Sequence, residues 1–255
     1  MEARVQKIIS QWGVASRREA EEMIKQSRVH INGTLAHLGQ KVDPHTDTIC
    51  VDGKPISARK RPDLIYLLLN KPAGVVSTCD DPQGRTTVLH LLPPELQHGL
   101  GIHPVGRLDA DSTGALILTN DGDLTFALTH PRHNISKTYK VIVQGHPPEA
   151  VLKMWRKGVL LEGRLTRPAQ VRLIERFANQ SKLEIILQEG RNRQIRLVAE
   201  QLGYPVHRLH RVAIGSVKLQ TPKTGSSLSM GEYRHLTPEE IIFLKNRIKR
   251  ITISN

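Results

Sequence analysis

Cysteine is nearly absent from this chain of 255 residues: Cys50 and Cys79 are the only two. They lie far apart and in no zinc-like spacing, which points to free thiols in a reducing compartment, with a single pairing left open. No apolar run approaches the roughly 18 residues a membrane helix needs. The opening stretch MEARVQKIIS lacks the basic, apolar, small-residue order of a secretory signal, so a cytoplasmic setting with no membrane partner is expected. The closest histidine groupings, His130 with His133 and His207 with His210, have no Cys, Asp or Glu at ligand spacing. Surface or phosphate contact is therefore favoured over metal. There is no internal repeat, no low-complexity tract and no nucleotide-binding fingerprint.

What the chain has in excess is positive charge. Lys and Arg number 37 against 24 Asp and Glu, for a formal net charge of +13 and a pI near 10.0. Such a surface speeds encounter with polyanions and releases their counterions on binding, so nucleic acid is the expected partner. The 38% hydrophobic content is compatible with a folded core, and the length suits two domains.

Residues 1–58 read as one small domain. Val5, Ile8, Ile9 and Trp12 recur at helical spacing before Gly13, and SRREAEEMIKQ opens with the capping box Ser16 and Glu19. Short strands follow around Asn32-Gly33 and Asp52-Gly53, both tight-hairpin dipeptides. ARKRPD, with residues 59–62 at its centre, reads as a linker. In the remainder, 63–255, strands are expected in LIYLLLN, KTYKVIVQG, AQVRLIE and KLEIILQEG. Helices are expected in PPEAVLKMWRKG, NRQIRLVAEQLG and TPEEIIFLKNRIKR. Strands outnumber helices without alternating with them, which predicts α+β rather than a doubly wound sheet.

The acids of GRLDADSTGALILTNDGD, Gly106 to Asp123, stand out in a basic chain. From Asp109 the spacing D-x-D-x-T-G begins like a calcium loop, but Asn120 stands where the bidentate glutamate belongs, and ALILT reads as a strand. Asp, Ser, Thr and Gly between elements also form turns through local hydrogen bonds, and Asp111 reads that way. The third reading is a carboxylate that acts on a substrate. Its company favours that reading. RNRQIR places Arg191 in an entry turn and Arg193 and Arg196 on one helix face, where an arginine can hold an aspartate ionised and oriented. SKTYKV sets Tyr139 among Lys137 and Lys140 on a strand. That is either ordinary sheet packing or a flat ring for a displaced base with lysines on nearby phosphates.

Together, GRLDADSTGALILTNDGDL, NKPAGVVST, KTYKV and EGRNRQIRLVAEQLGYPVHRLHR resemble the motifs of the RsuA/RluB-type ribosomal RNA pseudouridine synthases. The segment VQKIISQWGVASRREAEEMIKQSRVHINGTLAHLGQKVD resembles the small RNA-binding domain this family shares with a small-subunit ribosomal protein. The likeness covers nearly the whole chain, in order. It implies an α+β protein in which two helices and short strands precede a mixed, mainly antiparallel catalytic domain. It also implies catalysis by Asp109, Tyr139 and Arg196: the aspartate acting on the target uridine, the tyrosine stacking on the flipped base, and Arg196 pairing with the aspartate. Arg107 would hold the target nucleotide out of its helix, and Asn70, Lys71 and Pro72 match a loop near the active site. RNA contacts are expected from Lys71, Lys137, Lys140, Arg191 and Arg193, and from Arg17 and Arg18 in the small domain. Leu197-Val198 follow QIR where the family often has a basic residue, a departure that touches an RNA contact and not the chemistry.

The implied reaction is an isomerisation of uridine to pseudouridine that consumes no redox equivalent, phosphate donor or water, so no cofactor and no metal is expected. The carboxylate acts either as nucleophile or as the base that takes a sugar proton. The amino-terminal segment looks closer to the large-subunit (23S) branch; the small-subunit (16S) branch and a non-catalytic assembly factor are the alternatives. Ribosomal RNA or an assembly intermediate would be the partner of a monomer.

Overall fold

The structure, a computed structural model, describes residues 2–57, 62–130, 134–220 and 225–252. His133 and most of the expected linker, 58–61, lie outside the described residues. By internal contacts the chain forms two compact units. One comprises Met1–Ile65, Leu92–His103 and Thr119–Gly122; the other comprises Tyr66–Leu91, Pro104–Leu118 and Asp123–Asn255.

The first unit opens with β1 (Ala3–Arg4), α1 (Val5–Gln11) and α2 (Arg17–Lys25). The apolar spacing of α1 buries Val5, Ile8 and Ile9. At the start of α2 the capping box is complete: the Glu19 amide donates to Ser16 Oγ at 3.2 Å, and the Ser16 amide to Glu19 Oε2 at 2.7 Å. Then come β2 (Val29–Ile31), β3 (Thr34–Leu35), β4 (Lys41–Val42), β5 (Ile49–Val51) and β6 (Lys54–Ile56), with β3-β2-β5-β6 forming one antiparallel sheet. Both hairpin dipeptides take the left-handed conformation their turns require, with φ of 51° and 83° at Asn32-Gly33 and 50° and 72° at Asp52-Gly53. Val5, Ile8, Ile9, Val29, Ile49 and Val51 centre the core. Asn120 stitches the unit's separate segments: its amide nitrogen donates to the carbonyls of Asp63 (2.8 Å) and Leu100 (3.1 Å), while its oxygen accepts from the Ile65 amide at 2.9 Å.

The remaining elements are β7 (Tyr66–Lys71), α3 (Pro94–Gln97), β8 (His103–Pro104), β9 (Thr113–Thr119), α4 (Gly122–Thr129) and β10 (Lys137–Gln144). They continue as α5 (Glu149–Lys157), β11 (Leu160–Leu161), β12 (Arg164–Leu165), β13 (Gln170–Arg176), β14 (Gln180–Leu187) and α6 (Gln194–Gln201). Last come β15 (Val206–Ile214), β16 (Val217–Lys218), β17 (Tyr233–His235) and α7 (Pro238–Thr252). One nine-stranded sheet runs β13-β14-β10-β15-β9-β7-β17, with β16 on β15 and β8 on β9. Its ladders are antiparallel at β13–β14, β14–β10, β10–β15 and β7–β17, and parallel at β15–β9. The α+β expectation holds.

Among the elements the sequence reading does not anticipate are α4 and β15. Asn120-Asp121-Gly122 reads as a turn, yet Gly122 begins α4. VHRLHRVAI is not among the expected strands, yet it is β15, inside the sheet between β10 and β9. Its alternation is broken by bulges: Thr138 faces Ala213 and Tyr139 faces Arg211, leaving Val212 as an extra residue, and a second shift leaves His207 extra.

Candidate active site

Asp109 lies in the turn that leads into β9, where the Ser112 amide donates to the Asp109 carbonyl at 3.0 Å. That turn is fastened to the NKPAGVVS segment leaving β7. The Ser77 hydroxyl donates to the Leu108 carbonyl (2.9 Å) and accepts from the Leu108 amide (3.2 Å), and the Gly74 amide donates to the Ala110 carbonyl at 2.8 Å. Lys71 completes the fastening. Its Nζ donates to the carbonyls of Pro72 (2.8 Å), Ser112 (3.0 Å) and Ala110 (3.5 Å). The expectation that Lys71 touches RNA is corrected: the residue is 0% exposed, its donors are spent on the turn, and its role is to hold Asp109's loop. Burial lowers its pKa from 10.5 to about 8, against the opposing pull of Asp111 and Asp109.

The arginines are shared out differently from the expected pairing. Arg193, not Arg196, stands beside Asp109, with Nη1 at 3.6 Å from Oδ2. Arg193 precedes α6 with φ 46° and ψ 24°, a left-handed conformation uncommon outside glycine, and this turns its side chain back toward the acids. Arg196, one turn on, reaches Asp111 Oδ2 at 3.3 Å, the Asp111 carbonyl at 3.2 Å and Ser112 Oγ at 3.3 Å. Asp111 also takes Arg193 Nη2 at 3.3 Å. The turn expected around Asp111 is present, but its carboxylate does more than shape it: it anchors both arginines. The signal was available in two acids at i and i+2 opposite two arginines at i and i+3.

A cavity of about 420 Å³ opens beside this cluster, within the usual range for ligand sites. Asp109, Tyr139, Arg107, Lys137, Arg191 and Arg193 all line it. Tyr139 is 8% exposed. Arg107 is exposed. Arg191 is tied to the β11–β12 hairpin through the carbonyls of Leu161 (2.6 Å) and Arg164 (3.0 Å). Burial and the nearby Arg211 guanidinium push the Lys137 ammonium below its usual range. Lys140 is not part of the site, contrary to expectation. One residue past Tyr139 it emerges on the opposite face of β10, where it pairs with Glu184 at 2.6 Å beside Arg172. Arg17 and Arg18 are exposed in the first turn of α2, in the other unit. Sequence reasoning missed Arg211, which also lines the cavity. Its backbone passes so close to Gly114 that a Cβ there would lie 2.2 Å from the Arg211 carbonyl oxygen, so the glycine of DSTG is the local signal for it.

Comparison with known proteins identifies the family. A family model described as RNA pseudouridylate synthase matches residues 65–201, and an S4 domain model matches residues 3–49. The ribosomal large subunit pseudouridine synthase B of Bacillus subtilis (strain 168) is 39% identical over 241 residues, 93% of either chain. The dual-specificity RNA pseudouridine synthase RluF of Escherichia coli (strain K12) is 36% identical over 94% of this chain and 78% of its own. A crystal structure of a pseudouridylate synthase superposes with a TM-score of 0.66 at 31% identity, covering 94% of this chain and 99% of that one. With an S4 domain followed by this catalytic domain, the chain belongs to the RsuA/RluB family of RNA pseudouridine synthases.

Proposed function

We propose that this protein converts one uridine of large-subunit ribosomal RNA to pseudouridine, with Asp109 as the group that acts on the target nucleotide. The observation that carries the reading is the opening of Asp109 and Tyr139 into one cavity, a carboxylate and a flat ring where a displaced uridine needs both. Tyr139 stacks on the base. Arg193 orients the Asp109 carboxylate, and Arg196 acts one step removed by holding Asp111 and the turn. Arg107 and Arg191 meet the RNA at the cavity, while Arg17 and Arg18 of the S4 domain add phosphate contacts elsewhere. Unstacking the target costs a few kcal/mol, about what a handful of such contacts offsets. The relatives named for large-subunit synthase B and the amino-terminal segment both favour the 23S substrate. The protein works as a monomer in the cytoplasm, with no cofactor and no membrane partner.

The test is carbodiimide-dependent primer extension across both large ribosomal RNAs, in a strain lacking the protein and in that strain complemented with wild type or Asp109→Ala. One 23S stop should vanish, return with wild type and stay absent with D109A. A stop in 16S RNA would move the substrate to the small subunit. Restoration by D109A would remove Asp109 from the chemistry, and no lost stop at all would favour a binding protein without turnover.

A further inference from the structure

Arg211 lines the cavity, yet the site as described gives it no role. It is 4% exposed and sits on β15 directly across from Tyr139 on β10, so the two side chains share one face of the sheet. Its Nε donates to the Ala115 carbonyl at 2.7 Å, which fixes the plane of the guanidinium. Its Nη2 is buried and meets no acceptor among the described residues. Leaving a charged donor in that state costs free energy unless an acceptor arrives. Lys137, two residues before Tyr139 and on the same face of β10, lines the same cavity, and no described acceptor faces its ammonium. The carboxylates lining the cavity are committed elsewhere. Asp109 faces Arg193, while Glu189 accepts from Gln194 Nε2 at 2.6 Å and the Arg167 amide at 2.9 Å. Two cations without a carboxylate between them, one with a fixed orphan donor, select an anion rather than a neutral carbonyl.

We propose that Arg211 and Lys137 form a phosphate subsite in this cavity, taking an oxygen of a phosphodiester next to the target uridine. The proposal rests on the cavity being the uridine site. In that arrangement Tyr139 lies between the nucleotide's two handles: the base stacks on the ring while the backbone is gripped beside it. Arg211 is then a positioning residue, setting where the sugar sits relative to Asp109 without touching the bonds that change.

The experiment uses a synthetic RNA hairpin carrying the uridine located by the mapping above. One methylphosphonate, a neutral linkage, replaces the phosphate on its 5′ or 3′ side. Single-turnover rates are measured for the full-length wild type, Arg211→Gln and Arg211→Lys. One of the two neutral linkages should slow wild type by about ten- to a hundredfold, the range for a hydrogen bond to a charged group. R211Q should lose as much on ordinary RNA and nothing further on that modified RNA, and R211K should fall between. If R211Q does not fold, R211K on the modified RNAs still decides: its loss on ordinary RNA should shrink on the linkage to which wild type is sensitive, and an undiminished loss would overturn the subsite. Wild type indifferent to both neutral linkages, or losses that multiply when variant and linkage are combined, would overturn the subsite while leaving the functional reading intact. A mapping that finds no uridine would overturn the functional reading instead.

Discussion

Replacing Lys71 with methionine should be nearly silent at neutral pH and costly in alkali. Lys71→Met keeps the buried stem and removes the donors, so two effects of opposite sign compete. The carbonyls of Pro72 and Ser112 lose donors at 2.8 and 3.0 Å, at about 1–3 kcal/mol each. Against that loss, the wild-type ammonium is itself a burden. A pKa lowered from 10.5 to about 8 means that folding disfavours the charged form by about 3 kcal/mol. Below pH 8 the two effects offset one another. Between about pH 8 and pH 10.5 the unfolded lysine still holds a proton that the native one has released, so wild-type stability rises with pH across that window. The variant has no such group. Urea unfolding of both proteins at stepped pH, followed by circular dichroism, should therefore show wild type gaining about 3 kcal/mol over K71M across the window. Other titrations are common to both proteins and cancel in the difference. Parallel stability curves would refute the reasoning and return Lys71 to the surface.

Gly114→Ala should cost about 2–6 kcal/mol, from a backbone at φ +110° and a Cβ forced to 2.2 Å from Arg211, and urea unfolding within about 1 kcal/mol of wild type would contradict it. Asp111→Asn should leave stability within about 1 kcal/mol, because its carboxylate is half-exposed, while single-turnover rates drop about tenfold as Arg193 and Arg196 lose their shared anchor. An unchanged rate would reduce Asp111 to a turn residue.

What was legible in the sequence was what is settled locally. The capping box, the left-handed hairpin dipeptides and the apolar spacing of α1 each act within a few residues. The acids of the DADSTG turn were legible as a site through the company they keep. Which arginine serves which acid was not, because it depends on the backbone of Arg193 entering α6 in a left-handed conformation that no propensity anticipates. The burial of Lys71 was hidden for a related reason. The carbonyls that take its protons come partly from Ala110 and Ser112, about forty residues on, and meet it only once β7 and β9 lie together. Strand β15 was obscured by its own composition: His207 and Arg208 are surface residues, and only the sheet around Arg211 buries that fourth basic side chain.

The extra residue at Val212 makes the position of Arg211 a matter of counting. Arg211 and Ile214 are three apart, an odd interval that would send them to opposite faces of a regular strand, yet both line the cavity. The strand thus stores a half-period phase shift, and removing Val212 would restore regular alternation with Arg211 still opposite Tyr139 and Ile214 still opposite Lys137, so the extra residue sets the local bend of the strand and not which side chains reach the cavity. A homologue one residue shorter between Arg211 and Ile214 would therefore keep the arginine on the cavity face, whereas a residue inserted there without a matching bulge would turn it away, however similar the letters.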